Sequence, residues 1–151
     1  MAKTLIRIGI DSDVDKSGYC ELSKSPFAAK WTINYMGTLD FFDVLERLDE
    51  AKKMSQLPDV KLVVCIEAGW LNKSIHHIMK GNAHAAKIGT HVGANHQIGK
   101  LFVQYCERIG LIHQLYKPTT SKWDAKMFQQ VTGLTVKTNA EVRDSVRAAW
   151  T

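Results

Sequence analysis

The chain has 151 residues, 45% of them hydrophobic and 23% charged. That is enough for a domain with its own core, too apolar for intrinsic disorder, and without a run near the ~18 apolar residues of a membrane span. Lys and Arg total 20 against 15 Asp and Glu, a net charge of +5, which suits a polyanionic partner without requiring one. The opening MAKTLIRIGID has no long apolar stretch or small-residue cleavage site and reads as a first strand, not a leader. Cys20, Cys65 and Cys106 have no paired or metal-ligand spacing, which predicts free thiols and a reducing, cytoplasmic setting.

In chain order, Leu5 to Ile10 alternates and then fills with β-branched residues, predicting strand one. A polar turn over Asp11 to Ser17 leads to a second strand, Gly18 to Leu22, folded back as a hairpin. Lys30 to Met36 alternates as a third. Thr38 to Met54 carries Leu39, Phe42, Leu45 and Leu48 at helical spacing, and Pro58 closes the connection. Val60 to Ile66 is nearly continuous and apolar, as in a strand buried on both faces. Ala68 to Lys87 has mixed polarity and no clear period. Gly93 to Ile109 is a strong amphipathic pattern through Ile98, Leu101, Phe102 and Tyr105, ended by Gly110. Leu111 to Tyr116 is a fifth strand. Ser121-Lys-Trp-Asp124 and Thr138-Asn-Ala-Glu141 fit capping boxes, predicting one helix that stops before Gly133 and one that runs to the C-terminus. No repeat or linker interrupts the pattern, so residues 1–151 read as one α/β domain.

The acids fall where strands end. Asp11 closes the first strand and Glu67 the fourth, so neighbouring strands would set the two carboxylates side by side at one sheet edge. Glu141 and Asp144 are three apart on a predicted helix, hence on one face. Each acid alone has an ordinary explanation. Asp11 could begin a turn, Glu67 cap a helix, Glu141 complete its capping box, and Asp144 face solvent. Converging together, the four would repel one another unless cations held them; two Mg²⁺ ions would satisfy them and could clamp a phosphodiester for attack by water. The bases fall later in the chain, Lys73 and the run Lys117 to Lys126 among them, and that run is the best candidate for phosphate contacts.

The sequence GID, a turn with Gly18-Tyr19, a strand ending IEA, and an acid-x-x-acid helix at the C-terminus resembles the RuvC-type Holliday junction resolvases over nearly the whole chain. Lys87 to Gly93 (KIGTHVG) is similar to that family's K-x-G-x-x-x-G segment, and Val131 to Gly133 to the part after its basic stretch. The resemblance implies a ribonuclease-H-like fold, with a mixed five-stranded sheet and helices on both faces. It implies a homodimer that nicks four-way DNA junctions symmetrically with Mg²⁺, two ions per site, Mn²⁺ substituting. It maps the catalytic and metal-binding acids onto Asp11, Glu67, Glu141 and Asp144. It sets an aromatic DNA contact at Trp70 and a supporting lysine at Lys122 or Lys126; from the placement of the bases, Lys73 and Lys117 are expected as further DNA contacts. Neither a membrane nor a small-molecule cofactor is expected.

The chain departs from the family in three ways. Ser12-Asp13-Val14-Asp15 replaces the usual Pro-Gly-Ser, and Asp13 reads as a solvated charge rather than an extra ligand. The C-terminal acids stand in AEVRDSVRAAW, without the usual flanking alanines, and Glu141 stands where bacterial members more often have Asp. This divergence suggests a phage or prophage version. A broader debranching nuclease, a transposase-like catalytic core and a non-catalytic DNA-binding module remain the competing readings. Asp11-x-Asp13-x-Asp15 is not a calcium loop, because Lys16 and Leu22 stand where Gly and Glu are needed. His76, His77, His84, His91 and His96 have no zinc-site spacing with cysteines and read as solvated or phosphate-facing.

Overall fold

A computed structural model describes residues 2–72, 83–118 and 121–150. Five strands form one mixed sheet in the order β3-β2-β1-β4-β5. They are β1 (Thr4–Asp11), β2 (Ser17–Lys24), β3 (Thr32–Leu39), β4 (Val60–Glu67) and β5 (His113–Tyr116). The first three run as an antiparallel meander, and β4 and β5 join parallel to β1. The parallel crossovers are helical: α1 (Phe41–Ser55) leads into β4, and α2 (Ala83–Ile109) leads into β5. Two further helices follow, α3 (Ala125–Thr132) and α4 (Ala140–Trp150).

Strand alternation divides the core in two. Ile6, Ile8 and Ile10 face α1 and α2 in a layer with Val44, Leu48, Leu62, Val64, Ile66, Phe102 and Cys106. The opposite face, with Cys20 and Leu22, packs on Phe128 of α3 and on Val146 and Ala149 of α4. The mixed sheet with helices on both faces is therefore as the sequence predicts.

Several boundaries differ from the sequence reading. β3 lies later than Lys30 to Met36, because its pairing with β2 runs from Ser17↔Leu39 to Ser23↔Thr32, around an irregularity at Glu21/Leu22. α1 starts at Phe41 and is capped by Asp40, whose carboxylate accepts from the Asp43 N–H at 2.8 Å. α2 starts at Ala83, ten residues before Gly93, and runs straight through that glycine. Both predicted capping boxes are replaced by Asx caps. Asp124 itself caps α3, accepting from Met127 N at 2.7 Å. Asn139 Oδ1 caps α4, accepting from Val142 N at 2.9 Å. The short Asx side chain beside the first turn wins over the hydroxyl one or three residues earlier. Thr138 instead accepts from Arg143, so the box with Glu141 does not form. The stops hold as predicted: Gly110 and Gly133 end α2 and α3 with φ of 72° and 75°.

α4 lies close on the sheet. A Cβ on Gly9 would run into the carbonyl of Ser145, and one on Gly18 into the backbone of Glu141. The Ser145 carbonyl instead accepts from Cys20 Sγ at 3.3 Å. Gly9→Ala should therefore push α4 off the sheet and cost at least about 1–3 kcal/mol, the usual penalty of overpacking. Denaturant unfolding checks this, and stability within ~0.5 kcal/mol of wild type would mean that α4 is not held by that close approach.

Candidate metal centre

The parallel pairing of β1 with β4 ends at Ile10↔Ile66. Asp11 and Glu67 follow directly, so both leave the sheet at the same end. α4, seated over Gly9 and Gly18, brings Asp144 to them. Asp11, Glu67 and Asp144 each place a carboxylate oxygen within 4.8 Å of the others. Glu67 and Asp144 are almost fully buried, at 7% and 5% exposure. Glu67 Oε2 is buried and has no hydrogen-bond partner among the described residues. Three hard carboxylate oxygens, with an unsatisfied one beside them, fit an ion such as Mg²⁺ or Mn²⁺. Glu141 stands one turn earlier on α4. Its charge acts on Asp11, but its oxygens are outside the converging set, so the structure brings together three of the four expected acids and leaves the fourth at the margin.

The electrostatics follow from that crowding. Burial pushes the Asp11 carboxyl up to about 8, and the charges of Glu67 and Asp144 add to the shift. Glu67 is also raised by burial, with Lys122 opposing. Lys122 reaches into the cluster from the segment before α3. Its Nζ donates to Asp144 Oδ2 at 2.8 Å and lies 3.8 Å from Glu67 Oε1. Burial alone would lower its pKa, but the hydrogen bond to Asp144 and the charges of Glu67, Asp144 and Asp11 outweigh burial and raise it. This ammonium is therefore a built-in cation among the acids.

A cleft of about 170 Å³ opens beside them, lined by Asp11, Ser12, Glu67, Trp70, Asn95 and His96. Trp70 sits on a short 3-10 turn, Gly69–Leu71, and is half-buried against the core. Its ring meets His96 edge-on at 6.3 Å, and Lys100 Nζ lies 5.9 Å from its centroid. A side chain on Gly99 would collide with the indole, and one on Gly69 with His96. Two glycines thus let α2 lie flush against the turn. Burial, then Lys100, lowers the pKa of His96, which lines the cleft and is half-buried.

Asp13 is hydrogen-bonded to its neighbours rather than simply solvated. Its Oδ1 accepts from Asp15 N at 2.8 Å and its Oδ2 from Asn95 Nδ2 at 3.4 Å, while Asn95 Oδ1 accepts from Val14 N at 2.8 Å. Lys117 and Lys126 are exposed. Lys73, His76 and His77 lie outside the described residues. Sequence reasoning missed Ser12, Asn95 and the pairing of Lys122 with Asp144. Asn95 and His96 occupy adjacent positions on α2 with no motif to mark them, and only the docking of α2 reveals them.

No protein-family model matches this chain, and no curated protein matches it in sequence. Solved structures do. RuvC of T. thermophilus in complex with a Holliday junction substrate superposes with a TM-score of 0.60 at 12% identity, over 96% of this chain and 90% of that one. The Fowlpox virus resolvase in complex with Holliday junction DNA gives 0.53 at 10% identity, over 95% and 94%. The fold is thus the ribonuclease-H-like fold of these resolvases. No helix among the described residues is long and apolar enough to cross a membrane.

The raised Asp11 makes a testable statement about stability without metal. A carboxyl at about 8 in the folded chain, against an ordinary 3.8, binds its proton more tightly folded than unfolded. Its contribution therefore favours the folded state at low pH and is lost as pH rises through that window. Asp11→Asn should be progressively more stable relative to wild type from about pH 4 to about pH 8, in chelator. A constant difference across the window, by thermal melting, would show Asp11 ionised throughout.

Proposed function

We propose that this chain is a metal-dependent endonuclease that resolves four-way DNA junctions, working as a homodimer that makes paired nicks. The observation that carries the reading is the convergence of Asp11, Glu67 and Asp144 at one sheet end, in a fold shared with two resolvases whose structures hold junction DNA. The net charge of +5 suits the same substrate.

Asp11, Glu67 and Asp144 would hold Mg²⁺, with Glu141 acting on Asp11 through its charge. The bound cations would neutralise charge building on the phosphodiester and lower the pKa of the attacking water. The residues supply the rest. Asp11 must give up its proton to serve as a ligand, which favours cleavage at neutral to alkaline pH. Lys122 compensates Asp144 and presents its remaining N–H donors where a phosphate oxygen would approach. Trp70, beside the acids, would stack on an unpaired base, a contact that contributes about 1–3 kcal/mol. Lys117 and Lys126, both exposed, would contact flanking phosphates and fix the register of the duplex arms. A two-fold dimer would set two such centres on the two strands to be cut.

Labelled four-way, flap and linear DNAs, incubated with Mg²⁺, Mn²⁺, Ca²⁺ or chelator, test the reading. Paired nicks in the four-way junction are expected with Mg²⁺ or Mn²⁺ only. Preferential cutting of flaps would favour the debranching reading, and intact DNA throughout would overturn the enzyme. Asp11→Asn, Glu67→Gln and Asp144→Asn should each abolish cleavage while junction binding survives; Glu141→Gln should lose only part of the rate. An active Asp144→Asn would remove the cluster from the chemistry.

Binding is checked separately. Changing Lys117 and Lys126 to Ala should make junction affinity less sensitive to salt. The log–log slope should fall by about 0.9 for each phosphate that the lysines no longer neutralise. An unchanged slope would place the phosphate path elsewhere. Light scattering that finds a monomer with junction bound would count against the dimer.

A further inference from the structure

α4 carries more than Asp144 to this site. Three of its side chains grip three consecutive residues of the segment before α3. Arg143 Nε donates to the Trp123 carbonyl at 3.1 Å. Asp144 Oδ2 accepts from Lys122 Nζ at 2.8 Å. Arg147 donates through one terminal nitrogen to the Ser121 carbonyl at 3.1 Å. Trp123 and Trp150 add an edge-on ring contact at 6.3 Å. Residues 121–124 belong to no helix or strand, so no backbone ladder aims Lys122. A lysine with a 52% exposed side chain on irregular backbone would otherwise sample many rotamers.

Arg147 is the unusual member. It lies one turn beyond Asp144, yet it is only 7% exposed. Its guanidinium stands 5.9 Å from the ring centroid of Tyr116, and Tyr116 is the register partner of Glu67 across β4 and β5. Burying a guanidinium is costly unless its bonds and nearby charges offset the lost water. Among them here are a carbonyl of the Lys122 segment and the charge of Glu67. One buried cation thus acts on both halves of the site, by its charge on Glu67 and by a hydrogen bond on the segment that delivers Lys122.

We propose that Arg147, assisted by Arg143, is a positioning residue that clamps residues 121–123 so that the Lys122 ammonium is held against Asp144 and Glu67. The consequence for cleavage rests on the nuclease reading above; the clamp itself does not. Arg147→Met, Arg147→Lys, Arg143→Met, Lys122→Met and the Arg147/Lys122 double variant separate the two. Amide hydrogen exchange in Arg147→Met should speed up by roughly tenfold or more in peptides covering residues 121–124, with β1 and β4 unchanged. Cleavage should lose roughly 10- to 100-fold in kcat with KM nearly constant, the usual consequence of a misplaced group. Arg147→Lys should recover part of that loss. In the Lys122→Met background, Arg147→Met should cost nothing further, because its effect passes through Lys122. Additive losses, or exchange that rises evenly over α4 and the sheet, would overturn the proposal and leave Arg147 a plain packing residue. If Arg147→Met does not fold, Arg143→Met releases the same segment with the buried arginine in place, and its exchange decides. If wild type cuts no branched DNA, the nuclease reading fails, while exchange and Mn²⁺ affinity across the same variants still decide the clamp.

Discussion

The site depends on one close approach, the backbone of α4 lying directly on the backbone of β1 and β2. Gly9 and Gly18 make it possible, each facing a main-chain group of α4 where any side chain would intrude. Gly18 is the register partner of Asp11, so the space left by a missing side chain lies next to the first acid. The helix enters that space and delivers Glu141, Asp144 and Arg147 at its own period. An ordinary side-chain layer between helix and sheet, as on the α1–α2 face, would hold α4 too far out for Asp144 to reach Glu67.

That proximity carries an electrostatic cost. Three carboxylates with little water between them favour proton uptake, and the fold answers with two cations. Lys122 lies among the acids, and Arg147 acts on Glu67 by its charge. Neither saturates the cluster, since Glu67 keeps a buried oxygen that no described residue hydrogen-bonds. Such a region holds more repulsion than stability alone would select. The cleft beside it shows the same compromise: Trp70 is half in the core and half beside the acids, so its packing and any contact with a ligand draw on one side chain.

The sheet and the acids at strand ends are legible in the sequence because they rest on short-range pattern. β1 and β4 show their burial in residue type, and Asp11 and Glu67 mark where the apolar runs stop. The helix starts are not legible, because Asp124 and Asn139 compete with Ser121 and Thr138 within a few residues, and only backbone geometry decides which side chain meets the free N–H groups. The start of α2 is hidden too, since Gly93 resembles a break until the helix is seen to continue through it. The partner of Lys122 is hidden for a different reason: the lysine and Asp144 are joined by tertiary packing across 22 positions, a distance at which no periodicity operates. Glu141 looks equal to the other acids in sequence, because its three-residue spacing from Asp144 sets a shared face but not a shared reach.

The centre is also distributed along the chain in a telling order. Asp11 and Glu67 lie on the first and fourth strands, Lys122 precedes α3, and Asp144 arrives on the last helix. The strands β1 to β4 can pair among themselves, but the third acid and the clamp arrive only after residue 140. A ribosome releases residues one at a time, and a chain stalled before α4 has at most two of the three carboxylates and none of the arginines that steady Lys122. The three-carboxylate cluster is thus complete only once α4 has docked on the sheet, and until then the strands carry at most two of its acids.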